Sequence, residues 1–197
     1  NSSADAAFLY SNLKFSGFEF NPFAMYAYTG KNSGTVTALS GLQSPGVATN
    51  TGMKAYWAGT GFTMTALDPF KVMADINYGK ADYNDGSDAS RSGWLFDLAV
   101  DYTGLSMMTP SLFFAYSTGE NGNAGKSERM PVVSAENWAI GSFWMQGGNA
   151  LSDNYTDPSS NLGFWAAGLS LKDIKLVDKL SHTFNLIYFK GTNDKDI

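Results

Sequence analysis

From Trp94 to Tyr102 the chain runs WLFDLAVDY: apolar side chains occupy every second position, Asp97 and Asp101 take the opposite phase, and an aromatic closes each end. Alternation with a period of two predicts a strand with two unlike faces, although aspartates four apart would also share one side of a buried helix. The preceding run arbitrates. In FKVMADINYGKADY, Phe70, Val72, Ala74, Ile76 and Tyr78 share one phase, and Lys71, Met73, Asp75, Asn77 and Gly79 share the other. An antiparallel register that sets Phe70 opposite Tyr102 also sets Ile76 opposite Phe96 and Tyr78 opposite Trp94, and it puts Lys71 opposite Asp101 and Asp75 opposite Asp97. A slip of one residue would mix the two faces. Agreement in length, phase and aromatic ends therefore predicts a strand pair.

The same pattern recurs along the chain. AFLYSNLKF and FEFNPFAMYAYT flank Ser16 and Gly17, a two-residue hairpin turn that places Lys14 opposite Glu19 and Leu13 opposite Phe20. KAYWAGTGFTMTAL follows, with Tyr56, Ala58, Phe62, Met64 and Ala66 on one phase and Trp57, Gly59, Gly61, Thr63 and Thr65 on the other. Pro69 marks a corner before the next strand, since proline suits a turn and not a central strand. TPSLFFAYSTG, GFWAAGLSL and SHTFNLIYFKG complete about eight strands, with NDGSDASRSG and KDIKLVDKL as connecting links. Short and long links alternate, and residues 120–161 form the longest.

Composition sharpens this. Charged residues are 16% of the chain, below the ~25% usual for soluble domains, while aromatics reach 15% and glycines number 21. Disulfides and thiolate metal sites are excluded because there is no cysteine. Net charge is −5, and Arg91 and Arg129 are the only arginines, which excludes a phosphate-tracking surface and nucleic acid as a partner. No run approaches the roughly 20 apolar residues of a membrane helix, but membrane strands need only ~9–11 residues of alternating polarity. The first residues, NSSADA, are polar, so any leader has been removed or lies upstream of Asn1.

Alternation alone leaves open which face is wet. A soluble sheet buries its apolar stripe; a membrane barrel turns that stripe to lipid and its polar phase to water. Phe70 and Tyr78, like Trp94 and Tyr102, stand eight positions apart, which is roughly 26 Å along a strand and about 20 Å of bilayer once the strand tilts. Aromatics at that spacing match the two girdles of a barrel, and alternating short and long links match its two rims. The chain as a whole, residues 1–197, is expected to be a single all-β domain: an antiparallel, up-and-down transmembrane β-barrel. The competing expectation is a soluble or surface β-sandwich that binds carbohydrate through exposed tryptophans.

The aromatic-flanked strands FKVMADINYGKADY and WLFDLAVDY, with the tryptophan-rich ENWAIGSFWMQGG, resemble the outer-membrane homotrimeric porins of sulfate-reducing bacteria. The likeness lies in strand rhythm and composition over most of the chain and not in a short signature. It implies a trimeric, general-diffusion barrel of about 16 strands in the bacterial outer membrane, in contact with lipid and lipopolysaccharide, passing ions and small hydrophilic solutes. About eight strands are half of that barrel, and the closing GTNDKDI is polar where the family ends in an aromatic strand. The expectation is thus a section of a larger barrel with its true termini elsewhere.

Candidate residues follow from the two phases. Lys14, Glu19, Lys71, Asp75, Asp97 and Asp101 are pore-lining candidates, because charges facing a water-filled lumen set the field that solutes cross; otherwise they are solvated strand faces. Phe70, Tyr78, Trp94, Tyr102, Trp165 and Tyr188 are candidates for the lipid-facing girdle. Glu136, Asn137, Trp138, Phe143 and Trp144, inside the long link, are candidates for a constriction loop, an exterior loop or a trimer contact. Asp85 and Asp88 have turn chemistry without the spacing of a calcium loop. His182 beside Ser181 lacks the orienting partner of a catalytic triad. No catalysis, metal or cofactor is expected.

Overall fold

The computed structural model describes residues 3–31, 51–84, 90–121, 126–131, 163–177 and 179–194. Glu136, Asn137, Trp138, Phe143 and Trp144 lie outside the described residues, as do Asp85 and Asp88. Ten strands form one sheet: β1 (Ala4–Tyr10), β2 (Leu13–Phe15), β3 (Phe18–Thr29), β4 (Met53–Leu67), β5 (Phe70–Tyr83), β6 (Ser90–Tyr102), β7 (Thr109–Ser117), β8 (Lys126–Ser127), β9 (Phe164–Val177) and β10 (Leu180–Gly191). The order across the sheet is β1-β3-β4-β5-β6-β7-β9-β10, so each long strand lies beside its neighbours in sequence and the architecture is antiparallel and up-and-down. β2 continues the line of β1 beside β3, and the short β8 runs parallel to the upper end of β6. Among the described residues β1 and β10 do not pair with each other, so the sheet is open.

Registers follow the alternation. Phe70 stands opposite Tyr102, Asp75 opposite Asp97 and Tyr78 opposite Trp94. At the first hairpin, Lys14 faces Glu19 and Leu13 faces Phe20. Gly17 turns this hairpin with φ of 75°, a conformation that favours glycine, and a side chain there would come within 2.8 Å of the Ala66 Cβ. Two predicted links are partly strand. Ser90–Gly93 belongs to β6, and KDIKLV continues β9 to Val177, three positions before Leu180 opens β10. The charges Lys172, Asp173 and Lys175 make that stretch resemble a loop. The ladder absorbs them through a register shift between the pairs Ile174–His182 and Leu171–Phe184, where Asp173 adopts φ of 57°.

Two unlike faces result. On the aromatic face, ring contacts tie neighbouring strands in one row through Tyr26–Tyr56 (5.1 Å), Tyr78–Trp94 (4.8 Å) and Trp165–Tyr188 (5.2 Å), and in another through Phe70–Tyr102 (5.2 Å). Between these rows the face carries Phe62, Val72, Ile76, Phe96, Leu98, Val100, Phe114, Leu169 and Leu186. Among the described residues no charged side chain lies between the rows on this face; Lys54, Lys80, Asp82 and Lys190 all lie beyond the upper row. Thr60, polar and inside the band, donates its hydroxyl to the Gly61 carbonyl at 3.1 Å. The band is open to solvent at Leu112, Leu186 and Ile76, which keep 64%, 63% and 43% of their surface, and its other large side chains are half-buried against their neighbours on the sheet.

The opposite face, which carries the aspartates, holds the buried clusters. Met53, Ala55, Trp57, Ala81 and Tyr83 form one with Phe23, Met25 and Ala27; Ala115, Phe164 and Ala166 form the other with Phe113, Ile187 and Phe189. The first is covered by the chain itself. After β8, residues 128–131 cross this face from β6 towards β4, above Gly93 and then Gly79, which stand opposite each other in the ladder. A Cβ on Gly79 would sit 2.9 Å from Met130 Cγ and 3.0 Å from Pro131 Cδ, and one on Gly93 would collide with the Glu128 carbonyl. The crossing ends where the Trp57 indole N–H donates to the Pro131 carbonyl at 2.7 Å. Gly93→Val should lift the segment while sparing the strands: exchange of the Trp57 indole proton speeds up about tenfold or more, and trypsin gains a cut after Arg129. Unchanged protection at both positions would show that the glycine notch does not seat the segment.

Candidate functional site

The strand registers bring the predicted charges to one face at different depths. Nearest the tight turns, Lys71, Asp101, Ser111, Ser170 and Asn185 stand in one row across β5, β6, β7, β9 and β10. The next charged row aligns Asn21, Gly61, Asp75, Asp97 and Ala115. Higher still, residues 128–131 cross the wall at the level of Gly79 and Gly93, one residue beyond the Tyr78–Trp94 ring pair.

Lys14 and Glu19 pair as the hairpin register predicts, 3.4 Å apart, and Asn12 adds a hydrogen bond to the Glu19 carboxylate at 3.0 Å. Both charged side chains are open to solvent, so the pair adds little stability. Asp101 stands where the register predicts. Lys71 is directly opposite it, yet the close ion pair is with Lys172 on β9, whose Nζ lies 2.8 Å from each carboxylate oxygen. Lys172 reaches across β7 because Ser111, the residue between them, is small and buried. These side chains retain only 11% (Asp101) and 23% (Lys172) of their surface, so water screens the pair less than it does Lys14 and Glu19.

Asp75 and Asp97 face each other on adjacent strands, and among the described residues neither has an ion-pair or hydrogen-bond partner. Like charges placed directly opposite repel, so this arrangement favours a site open to water or a cation. The girdle candidates Phe70, Tyr78, Trp94, Tyr102, Trp165 and Tyr188 all fall on the aromatic face, away from these carboxylates. His182 lies opposite Ile174, near the start of β10.

Sequence reasoning missed two parts of the arrangement. Lys172 lies in KDIKLVDKL, whose charges read as a link, and only the β7–β9 register shows that it reaches Asp101. The second is the clasp that holds the crossing segment. Glu120 accepts from the Ser127 hydroxyl and from the Glu128 amide at 3.1 Å; Thr118 Oγ1 donates to the Glu128 carbonyl at 2.5 Å; and the buried Arg91 donates through Nε to the Arg129 carbonyl at 3.1 Å. One signal was available: Gly79 and Gly93 share a phase on paired strands, which leaves a notch wide enough for a backbone.

A double-mutant cycle on Asp101→Ala and Lys172→Ala should return a coupling of about 1–2 kcal/mol, between the values for exposed and buried pairs, read from urea unfolding. Additive effects of the two substitutions would reduce the pair to a surface contact. In comparisons with family models, characterised proteins and solved structures, the chain matches none.

Proposed function

We propose that this chain forms part of the wall of an outer-membrane β-barrel, a porin-type water-filled channel for passive diffusion of ions and small hydrophilic solutes, with no catalytic step. One observation carries the reading: the apolar band on the aromatic face, open to solvent at Ile76, Leu112 and Leu186 and free of charge between the upper row of rings and the level of the Phe70–Tyr102 pair. Burying such a band in lipid removes the cost of keeping it in water, and the rings suit the interfaces at its edges. The self-satisfied Thr60 hydroxyl fits the same solvent, since hydrocarbon offers it no partner.

The open edges fit a barrel in which further strands complete the ladder, because lipid cannot satisfy the free amides and carbonyls of β1 and β10. The proposal places about eight of 16 strands here, in a trimer within a membrane of lipid and lipopolysaccharide. Its lumen is the aspartate face, and the segment crossing that face narrows the passage at the level of the upper rings. The candidate constriction residues Glu136, Asn137, Trp138, Phe143 and Trp144 follow that crossing in sequence. With Asp101 neutralised by Lys172, the two carboxylates of Asp75 and Asp97 outweigh the one remaining cation of these rows, Lys71, and favour cations.

The complete protein in a planar bilayer should give stepwise conductance, and a silent membrane at high protein load would refute the channel. Asp75→Asn with Asp97→Asn should move the zero-current potential in a potassium chloride gradient towards the anion side, and an unmoved potential would take both residues out of ion selection. Leu98→Arg, in the middle of the band, should cost about 2–4 kcal/mol of folding free energy in lipid. A cost near zero, or solubility without detergent, would point instead to a soluble β-sandwich.

A further inference from the structure

Beside the unpaired carboxylates the aspartate face carries a depression of about 390 Å³, bounded by Tyr10, Asn21, Phe23, Gly61, Met73 and Asp75. Its shape comes from two glycines on β4. A Cβ at Gly61 would stand 3.0 Å from Asp75 Oδ1, and one at Gly59 would stand 2.7 Å from Phe23 Cε1, so the acid and the ring lean over a floor without side chains. Tyr10 is fixed at the rim by its hydroxyl, which donates to Asn21 Oδ1 at 3.2 Å. The depression thus joins a carboxylate, an amide, two aromatic rings and a thioether within a volume suited to a small molecule.

Electrostatics selects the ligand. Asp97 stands directly opposite Asp75, and among the described residues no cation pairs with either; Lys71 shares their face but stands four positions along β5, opposite Asp101, and Lys14 is paired with Glu19. An anion would meet two carboxylates, and a neutral solute would leave their repulsion in place. A positively charged nitrogen relieves it, and the aromatic rings of Phe23 and Tyr10 line the same depression, where a ring face attracts such a charge through its quadrupole. Met73 and the ring faces accept a short hydrocarbon chain. We infer that this depression is a binding subsite for small organic amines, holding the ammonium group between Asp75 and Phe23 and the alkyl chain against Met73. The inference deepens the channel proposal, and rests on it in assigning such amines as transported solutes.

The test uses the folded protein in detergent micelles, titrated calorimetrically with butylammonium chloride at constant ionic strength, with sodium butyrate and butan-1-ol as matched probes. Butylammonium should bind saturably at one site while the anion and the alcohol do not. Asp75→Asn should weaken binding about tenfold through the lost charge, Phe23→Leu by about threefold through the lost ring, and Asp82→Asn, on the aromatic face, should leave it unchanged. Near-UV circular dichroism confirms that each variant is folded, and Asp97→Asn, expected to weaken binding less than Asp75→Asn, serves if the latter fails to fold. Equal binding of butyrate or butanol, or unaltered affinity in the folded aspartate variants, would overturn the inference. Binding without bilayer conductance would keep the subsite and remove the channel; conductance without binding would do the opposite.

Discussion

The antiparallel ladder holds a continuous register from β1 to β10, broken chiefly near the tight turns, and the two faces depend on it. Side chains alternate with a period of two, so a slip of one residue at any junction would exchange the apolar and polar faces from there onward. Backbone hydrogen bonds alone cannot prevent that, because they form equally well in the slipped ladder. The side chains do. Ring pairs such as Tyr78–Trp94 and Phe70–Tyr102 lock one face, and cross-strand polar contacts such as Lys14–Glu19 fit only when they share the other.

A sheet whose more uniformly apolar face is open to solvent, while buried clusters occupy parts of the face that carries the charges, inverts the usual arrangement of a half-buried sheet. Its apolar clusters occupy one end and one side of the aspartate face, leaving a polar tract around Asp75 and Asp97. The crossing segment belongs to this economy of space. Gly79 and Gly93 remove two side chains where a backbone must pass, and Arg91, Glu120 and Thr118 supply hydrogen-bond partners to that backbone so that its polar groups are satisfied when covered. Small residues on the wall therefore do two jobs: at Gly79 they admit the chain, and at Gly61 they leave the depression beside Asp75.

Much of this was legible in the sequence, because strand phase is a local property. WLFDLAVDY and FKVMADINY each carry the alternation, and together they fix their own register and the Asp75–Asp97 opposition. What escaped depends on residues two strands apart or on departures from regular pairing. Lys172 meets Asp101 only through the intervening β7, and its stretch passes a register shift at which the alternation that identifies a strand is interrupted. The seat of residues 128–131 needs Gly79, Gly93 and Trp57 from three strands at once, and no periodicity in one segment encodes that.

The two acidic positions on β6 show how topology, more than composition, assigns roles to like residues. Asp97 and Asp101 are one helical turn apart in sequence number and share a strand face, yet their neighbours differ. Across β7, Asp101 looks over Ser111 to Lys172, whereas Asp97 looks over Ala115 to Ala166, and its other neighbour is Asp75. One carboxylate is therefore held in a close ion pair that ties three strands, and the other shares its charge with a second carboxylate across the ladder. Charge concentrated where no countercharge is built in must be balanced by mobile ions or solute, so the Asp75–Asp97 row is where this face meets its surroundings, and the Asp101–Lys172 pair is where the sheet holds itself together.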